Sequence, residues 1–257
     1  MRNLLVALED NDQIALVTLS QPEKRNAISM AMWKSLPKVM TELAENSAVK
    51  VIIVTGAGDH FAGGADISEF EKIYSDNKLR EEYSELVEQG LTAVAEQAKP
   101  TIAMITGACV GAGCALATAC DIRFADETAR FSVPPAKLGL VYSIANTRRL
   151  AELVGRGRAA DMLFTGRTLD TQTAFNSGLV DFIEPQSTLT EQTYAYAQSI
   201  CSLSQNSVQT SKRILNRVSR NYPDDDPASW QEFLDAFESD DFSEGYQAFL
   251  DKRRPTF

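Results

Sequence analysis

The chain has 257 residues, 44% of them hydrophobic and 23% charged, and carries a formal net charge of −10. That length admits one large α/β domain with a substantial core, and the acidic excess excludes an extended nucleic-acid surface, which needs clustered Lys and Arg. No stretch reaches the roughly 20 apolar residues of a membrane span, and Glu9, Asp10 and Asp12 cut the apolar start at residues 1–8 too early for a signal peptide, so a cytoplasmic protein is expected.

Residues 14–19 predict a strand and residues 20–26 the loop leaving it. Ser29 predicts the N-cap of a helix reaching about Asn46, with Met32, Leu36, Val39, Met40 and Leu43 on one face. Residues 49–54 form a nearly continuous apolar run, the pattern of a strand covered on both faces. Gly56 to Asp59 break it, and the turn Phe61-Ala62-Gly63-Gly64-Ala65-Asp66-Ile67 follows. A helical region over 67–97 is interrupted near Ser75-Asp76-Asn77 and ended by Lys99-Pro100. Residues 101–105 predict a second buried strand, followed by the turn Gly107-Ala108-Cys109-Val110-Gly111-Ala112-Gly113-Cys114 and a short apolar helix to Ala119. Short strands are expected at 121–125 and 129–133, with a last one at 178–183. Four helices then follow without strands, at 188–203, 207–220, 228–239 and 241–252. The alternation argues for an α/β fold, with residues 1–190 as the core and 191–257 as a helical region that is not an independent domain.

The chemistry-bearing residues are few. Cys109, Cys114, Cys120 and Cys201 do not match a zinc spacing and read as small buried side chains, so no metal site is expected. The single histidine, His60, reads as an exposed loop residue rather than part of a nucleophilic relay. The two Gly/Ala turns carry more. Each follows an apolar strand and leads into a helix, so each can aim backbone N–H groups at one site, which suits a thioester oxygen becoming an oxyanion or enolate.

In the order Pro22-Glu23-Lys24-Arg25-Asn26-Ala27, then the two turns, then Cys120-Asp121-Ile122 and Leu138-Gly139-Leu140, the chain resembles the enoyl-CoA hydratase/isomerase (crotonase) superfamily. Thr165-Gly166, Gly178-Leu179-Val180 and the ending Ala248-Phe249-Leu250-Asp251-Lys252-Arg253-Arg254 extend the likeness over essentially the whole chain. The resemblance implies a spiral of β-β-α turns, a C-terminal helical trimerisation region, and a homotrimer or dimer of trimers. It implies an acyl-CoA substrate, with coenzyme A as part of the substrate and no separate cofactor. Carried over, the oxyanion hole falls on the N–H groups of Ala65 and Ala112. The substrate and CoA side takes Lys24, Arg25, Ala27, Ala62, Asp66 and Ile67, with Phe249 and Lys252 near the nucleotide. Asp66 also reads as a helix-start cap.

The resemblance departs at the carboxylates. The positions corresponding to the hydratase glutamates hold Ala115 and Pro135, and the aspartate position of the dienoyl isomerases holds Ser143. Around Pro134-Pro135 and Leu138 to Tyr142 the chain is most similar to the methylmalonyl-CoA decarboxylase branch, although that branch has a histidine where Ala65 stands. Decarboxylation generates the enolate without a base, and Tyr142 is the candidate proton donor or carboxylate contact. Two alternatives stay open: a hydratase that recruits another carboxylate, Glu69 or Glu71 being nearest, and a non-catalytic acyl-CoA binder. Tyr74, Tyr83, Leu86 and Leu91 are candidates for the acyl tunnel.

Overall fold

The computed structural model describes residues 4–257; Met1, Arg2 and Asn3, the first residues of the apolar start, lie outside the described residues. A six-stranded sheet runs in the order β1 (Leu4–Glu9), β2 (Ile14–Leu19), β3 (Val51–Gly56), β4 (Thr101–Ile105), β6 (Ile122–Asp126), β9 (Phe182–Glu184). Only β1 and β2 pair antiparallel; every other neighbour in this sheet is parallel. A smaller sheet joins β5 (Ala108–Val110), β7 (Arg130–Ser132) and β8 (Leu169–Asp170). Strands β3 and β4 are buried on both faces because helices cover them, as their unbroken apolar sequence requires.

Ser29 caps α1 (Met30–Glu45) by accepting from the Met32 N–H, a contact of about 1 kcal/mol for such caps. Helix α1 buries Trp33 and Leu36 against α3 (Asn77–Ala95), where Gly90 lies so close that a Cβ there would sit 2.7 Å from the Trp33 ring. Gly90, Leu91 and Val94 are the buried residues of α3. Between α1 and α3, α2 (Phe70–Ser75) follows a 3-10 turn at Ile67–Glu69. The short α4 (Ala112–Ala119) is buried along nearly its whole length. Beyond it lie α5 (Ile144–Thr165), broken at Gly155, and α6 (Thr171–Asn176). Four C-terminal helices follow: α7 (Leu189–Cys201), α8 (Gln205–Ser219), α9 (Pro227–Asp235) and α10 (Asp240–Asp251). Leu189, Ala197 and Cys201 of α7 pack on the sheet face formed by Ile14, Val51, Ile53 and Ile102.

Two expectations change. From Leu4 onward the apolar start forms the edge strand β1, turned back onto β2 by Asp10, Asn11 and Asp12, all at positive φ. The last strand is only Phe182–Glu184. Leu179 and Val180 are buried in a turn instead, their N–H groups donating to the Ala174 carbonyl at the end of α6, with Gly178 at φ 81°.

Candidate active site

The two Gly/Ala turns are stitched to each other. The Ala62 N–H donates to the Ala108 carbonyl at 2.8 Å, and the Val110 N–H returns to the Ala62 carbonyl at 2.9 Å. Gly113, on the first turn of α4, lies against Ala62; a Cβ there would be 2.5 Å from the Ala62 oxygen. Asn26 braces the first turn from below, its Nδ2 donating to the carbonyls of Ala57 and His60. His60 is half-buried rather than exposed, and its Nδ1 accepts from the Ala108 N–H at 3.1 Å, a second tie between the turns.

This frame leaves two donors over. The parallel bridge between Ile28 and Ala65 uses the Gly64 carbonyl and the Asp66 N–H, so the N–H of Ala65 itself points away from the bridge. Ala112 is the first residue of α4, whose leading N–H groups have no intrahelical acceptor. Among the described residues, neither N–H donates to a protein acceptor. Both residues line one cavity of about 510 Å³. The positive end of the α4 dipole reinforces the Ala112 donor.

The cavity wall opposite is a single face of α3. Arg80, Tyr83, Ser84, Val87 and Glu88 follow the i, i+3, i+4, i+7, i+8 spacing and all line it. Ile67, Phe70 and Tyr74 add apolar surface from one side, and Pro134, Pro135, Leu138, Leu140 and Val141 from another. Tyr74 and Tyr83 therefore join the cavity as expected of tunnel candidates, and burial pushes the Tyr83 hydroxyl well up from its ordinary value. Leu91 is instead fully buried core, and Leu86 packs against that core.

Glu88 is the one carboxylate lining the cavity among the described residues, and sequence reasoning overlooked it. Asn146 Nδ2 donates to its Oε1 at 3.1 Å, and Arg149 in turn donates to Asn146 Oδ1 at 2.9 Å. The carboxylates proposed from sequence are elsewhere. Glu69 accepts from the Met30 N–H at 2.8 Å and serves the start of α1, while Glu71 is exposed and outside the lining. Ala115 is packed in the core, Pro135 lines the cavity, and Ser143 lines it while capping α5 through the Asn146 N–H.

Several expected ligand contacts are structural. Ala62 spends both backbone groups on the stitch and lies outside the lining. Asp66 is buried, caps the turn at Ser68, and accepts from Lys24 Nζ at 2.7 Å and Gln21 Nε2 at 3.0 Å. Burial alone would raise the Asp66 carboxyl, but the hydrogen bonds from Lys24, Ser68 and Gln21 outweigh it and hold it at about 2. Because the folded value lies below the unfolded one, this carboxylate stabilises the fold above pH ~4 and ceases to as pH falls toward 2. In urea unfolding, the stability gap between the wild type and Asp66→Asn is expected to be constant near neutrality and to narrow between about pH 4 and 2. Ala27 is buried behind Lys24, and the Arg25 carbonyl accepts from the Gly63 N–H at 2.7 Å, so this segment backs the first turn while the Arg25 side chain is exposed. Phe249 and Lys252 are exposed at the end of α10 and do not line the cavity. Arg253 does not stand as a free cation, because Glu244 pairs with it at 2.6 Å. Tyr142 lines the cavity, and its hydroxyl donates to the Gly111 carbonyl. All four cysteines are free and buried.

The class this defines is an α/β protein with a largely parallel sheet and two Gly/Ala turns that present unpartnered backbone N–H groups to one largely apolar cavity. A model of the enoyl-CoA hydratase/isomerase family matches residues 9–257. The chain is 32% identical over 251 residues to a short-chain-enoyl-CoA hydratase of Clostridium acetobutylicum, covering 97% of this chain and 95% of that one. It superposes with a TM-score of 0.96 on an enoyl-CoA hydratase/isomerase family protein from Hyphomonas neptunium, at 41% identity, covering 99% of this chain and 97% of that one. An enoyl-CoA hydratase from Bacillus anthracis superposes at 0.90 with 29% identity, over 99% and 98% of the two chains. The chain belongs to the enoyl-CoA hydratase/isomerase, or crotonase, family and has its fold.

Proposed function

We propose that the cavity takes the acyl end of a coenzyme A thioester, with the thioester oxygen between the N–H groups of Ala65 and Ala112, and that the reaction passes through the enolate. The pair of unpartnered N–H groups on one cavity wall carries this reading. Charge that develops on the oxygen meets donors already held in place, so no reorganisation is needed when it forms. Coenzyme A enters as part of the substrate. Arg25, exposed beside the first turn, supplies positive charge for its phosphates, Lys24 being already paired with Asp66, and Ile67, exposed at the cavity edge, lines the passage. A trimer or dimer of trimers formed by the C-terminal helices belongs to the same proposal. The exposed aromatic run Trp230, Phe233, Phe237 and Phe242 supports it, as does the position of Phe249 and Lys252 outside the cavity of their own chain.

The reaction we assign is proton transfer next to the thioester carbonyl, that is, hydration or a double-bond shift in an enoyl thioester, with Glu88 as the proton carrier. Glu88 supports it by lining the same cavity as the hole, one oxygen held by Asn146. A second reading is decarboxylation of a small malonyl-type thioester. The apolar wall of Pro134, Pro135, Leu138 and Val141 favours that one, since a carboxylate there is poorly solvated and gains by leaving as carbon dioxide. Steady-state assays with crotonyl-CoA and methylmalonyl-CoA separate them. Hydration of crotonyl-CoA on the order of 1–1000 per second is expected. Carbon dioxide release from methylmalonyl-CoA without hydration would transfer the assignment to the second reading. Coenzyme A binding with no turnover of crotonyl-CoA, a 3-enoyl-CoA or methylmalonyl-CoA would leave a binding protein and overturn both.

A further inference from the structure

Tyr142 touches the backbone of the oxyanion hole itself. Its hydroxyl donates to the carbonyl oxygen of Gly111, a group that can only accept. The Gly111 carbonyl and the Ala112 N–H belong to one planar peptide unit and point in opposite directions. One end of that unit is thus held by Tyr142 while the other faces the cavity as a hole donor. The Ala115 N–H donates to the same Gly111 oxygen at 2.9 Å, and the Gly111 N–H donates to the Ser132 carbonyl at 2.8 Å. Gly111 sits at φ 52° and ψ −112°, a conformation open to glycine, and it is what reverses the chain so that the next peptide projects its N–H outward.

We propose that Tyr142 is a positioning residue that polarises the Gly111–Ala112 peptide and so strengthens the Ala112 N–H as an oxyanion donor. The physical basis is cooperativity: a carbonyl that accepts hydrogen bonds draws electron density through the amide and makes its N–H the better donor. With Ala115 and Tyr142 both on it, the Gly111 oxygen has its two lone pairs engaged. Burial pushes the Tyr142 hydroxyl well above its ordinary value, with the neighbouring Cys114 and Cys109 acting in the same direction, so the proton stays on the phenol. This role differs from proton donation to the substrate, because the phenol proton never leaves Gly111. It rests on the reading of Ala65 and Ala112 as the oxyanion hole.

The test is the ionisation of bound acetoacetyl-CoA, a β-keto thioester whose enolate absorbs in the near ultraviolet. Wild type is expected to bind it and lower its ionisation midpoint below that of the free thioester. In Tyr142→Phe, which keeps the ring, the midpoint is expected to rise by about one pH unit, roughly tenfold in the ionisation constant, with free coenzyme A affinity unchanged. An unchanged midpoint in Tyr142→Phe, with turnover lost, would make Tyr142 a proton donor and overturn the proposal. If both midpoint and turnover are unchanged, Tyr142 only packs and the proposal also falls. If wild type does not bind acetoacetyl-CoA, or leaves its midpoint unmoved, the oxyanion-hole reading itself fails.

Discussion

Replacing Ala112 by proline is expected to lower kcat/KM by about 10²- to 10³-fold while leaving the fold intact, the loss typical of deleting one oxyanion-hole donor. Proline removes the N–H and puts its ring carbon where the thioester oxygen would sit. Elsewhere in a helix this substitution would be ruinous, but Ala112 is the first residue of α4, where the N–H has no intrahelical partner and proline is well tolerated. The residue before a proline is pushed toward extended backbone. Gly111, at φ 52° and ψ −112°, occupies the mirror image of that region, which its missing Cβ permits. The thermal midpoint and free coenzyme A affinity should therefore stay near wild type, and kcat/KM alone should collapse. Retention of turnover within a few-fold of wild type would remove Ala112 from the hole.

The three most firmly held parts of the site were legible in the sequence for physical reasons. Gly/Ala turns after buried strands announce a close backbone approach, the Ser29 cap announces α1, and the apolar spacing of Met32, Leu36, Met40 and Leu43 announces its buried face. Other parts depend on tertiary distance. The partner of Tyr142 lies 31 residues away, and that of Glu88 lies 58 away, with nothing local to mark either pair. The run Asp10-Asn11-Asp12 signals a hairpin turn through its tolerance of positive φ, whereas the charges of Glu9, Asp10 and Asp12 alone mark only the end of the apolar start. Glu88 was recoverable. Tyr83 is a tunnel candidate, Ser84 adjoins it, and one turn of four residues on from each reaches Val87 and Glu88. Glu69 and Glu71 drew attention by lying nearer the turn in sequence, where a 3-10 turn and a six-residue helix send one to α1 and the other to solvent.

Glu88→Gln decides which chemistry the hole serves. The substitution keeps the shape of the side chain and its oxygen as an acceptor for Asn146 Nδ2, so the Glu88–Asn146–Arg149 chain survives and α3 and α5 stay in register. What it removes is the ability to take or give a proton. If Glu88 carries the proton to or from the carbon beside the thioester, crotonyl-CoA hydration should fall by about 10²- to 10⁴-fold, the usual worth of a positioned acid or base. KM should move little, because the thioester oxygen is still held by Ala65 and Ala112 and the apolar walls are untouched. Decarboxylation behaves differently. There the carbon–carbon bond supplies the electrons of the enolate, no base takes part in the step that forms it, and Glu88→Gln should leave carbon dioxide release close to wild type. Ala112→Pro should suppress either reaction, since both need the oxyanion. A protein that loses turnover in both variants runs proton-transfer chemistry through Glu88, whereas one that releases carbon dioxide and loses that release only in Ala112→Pro forms its enolate by decarboxylation.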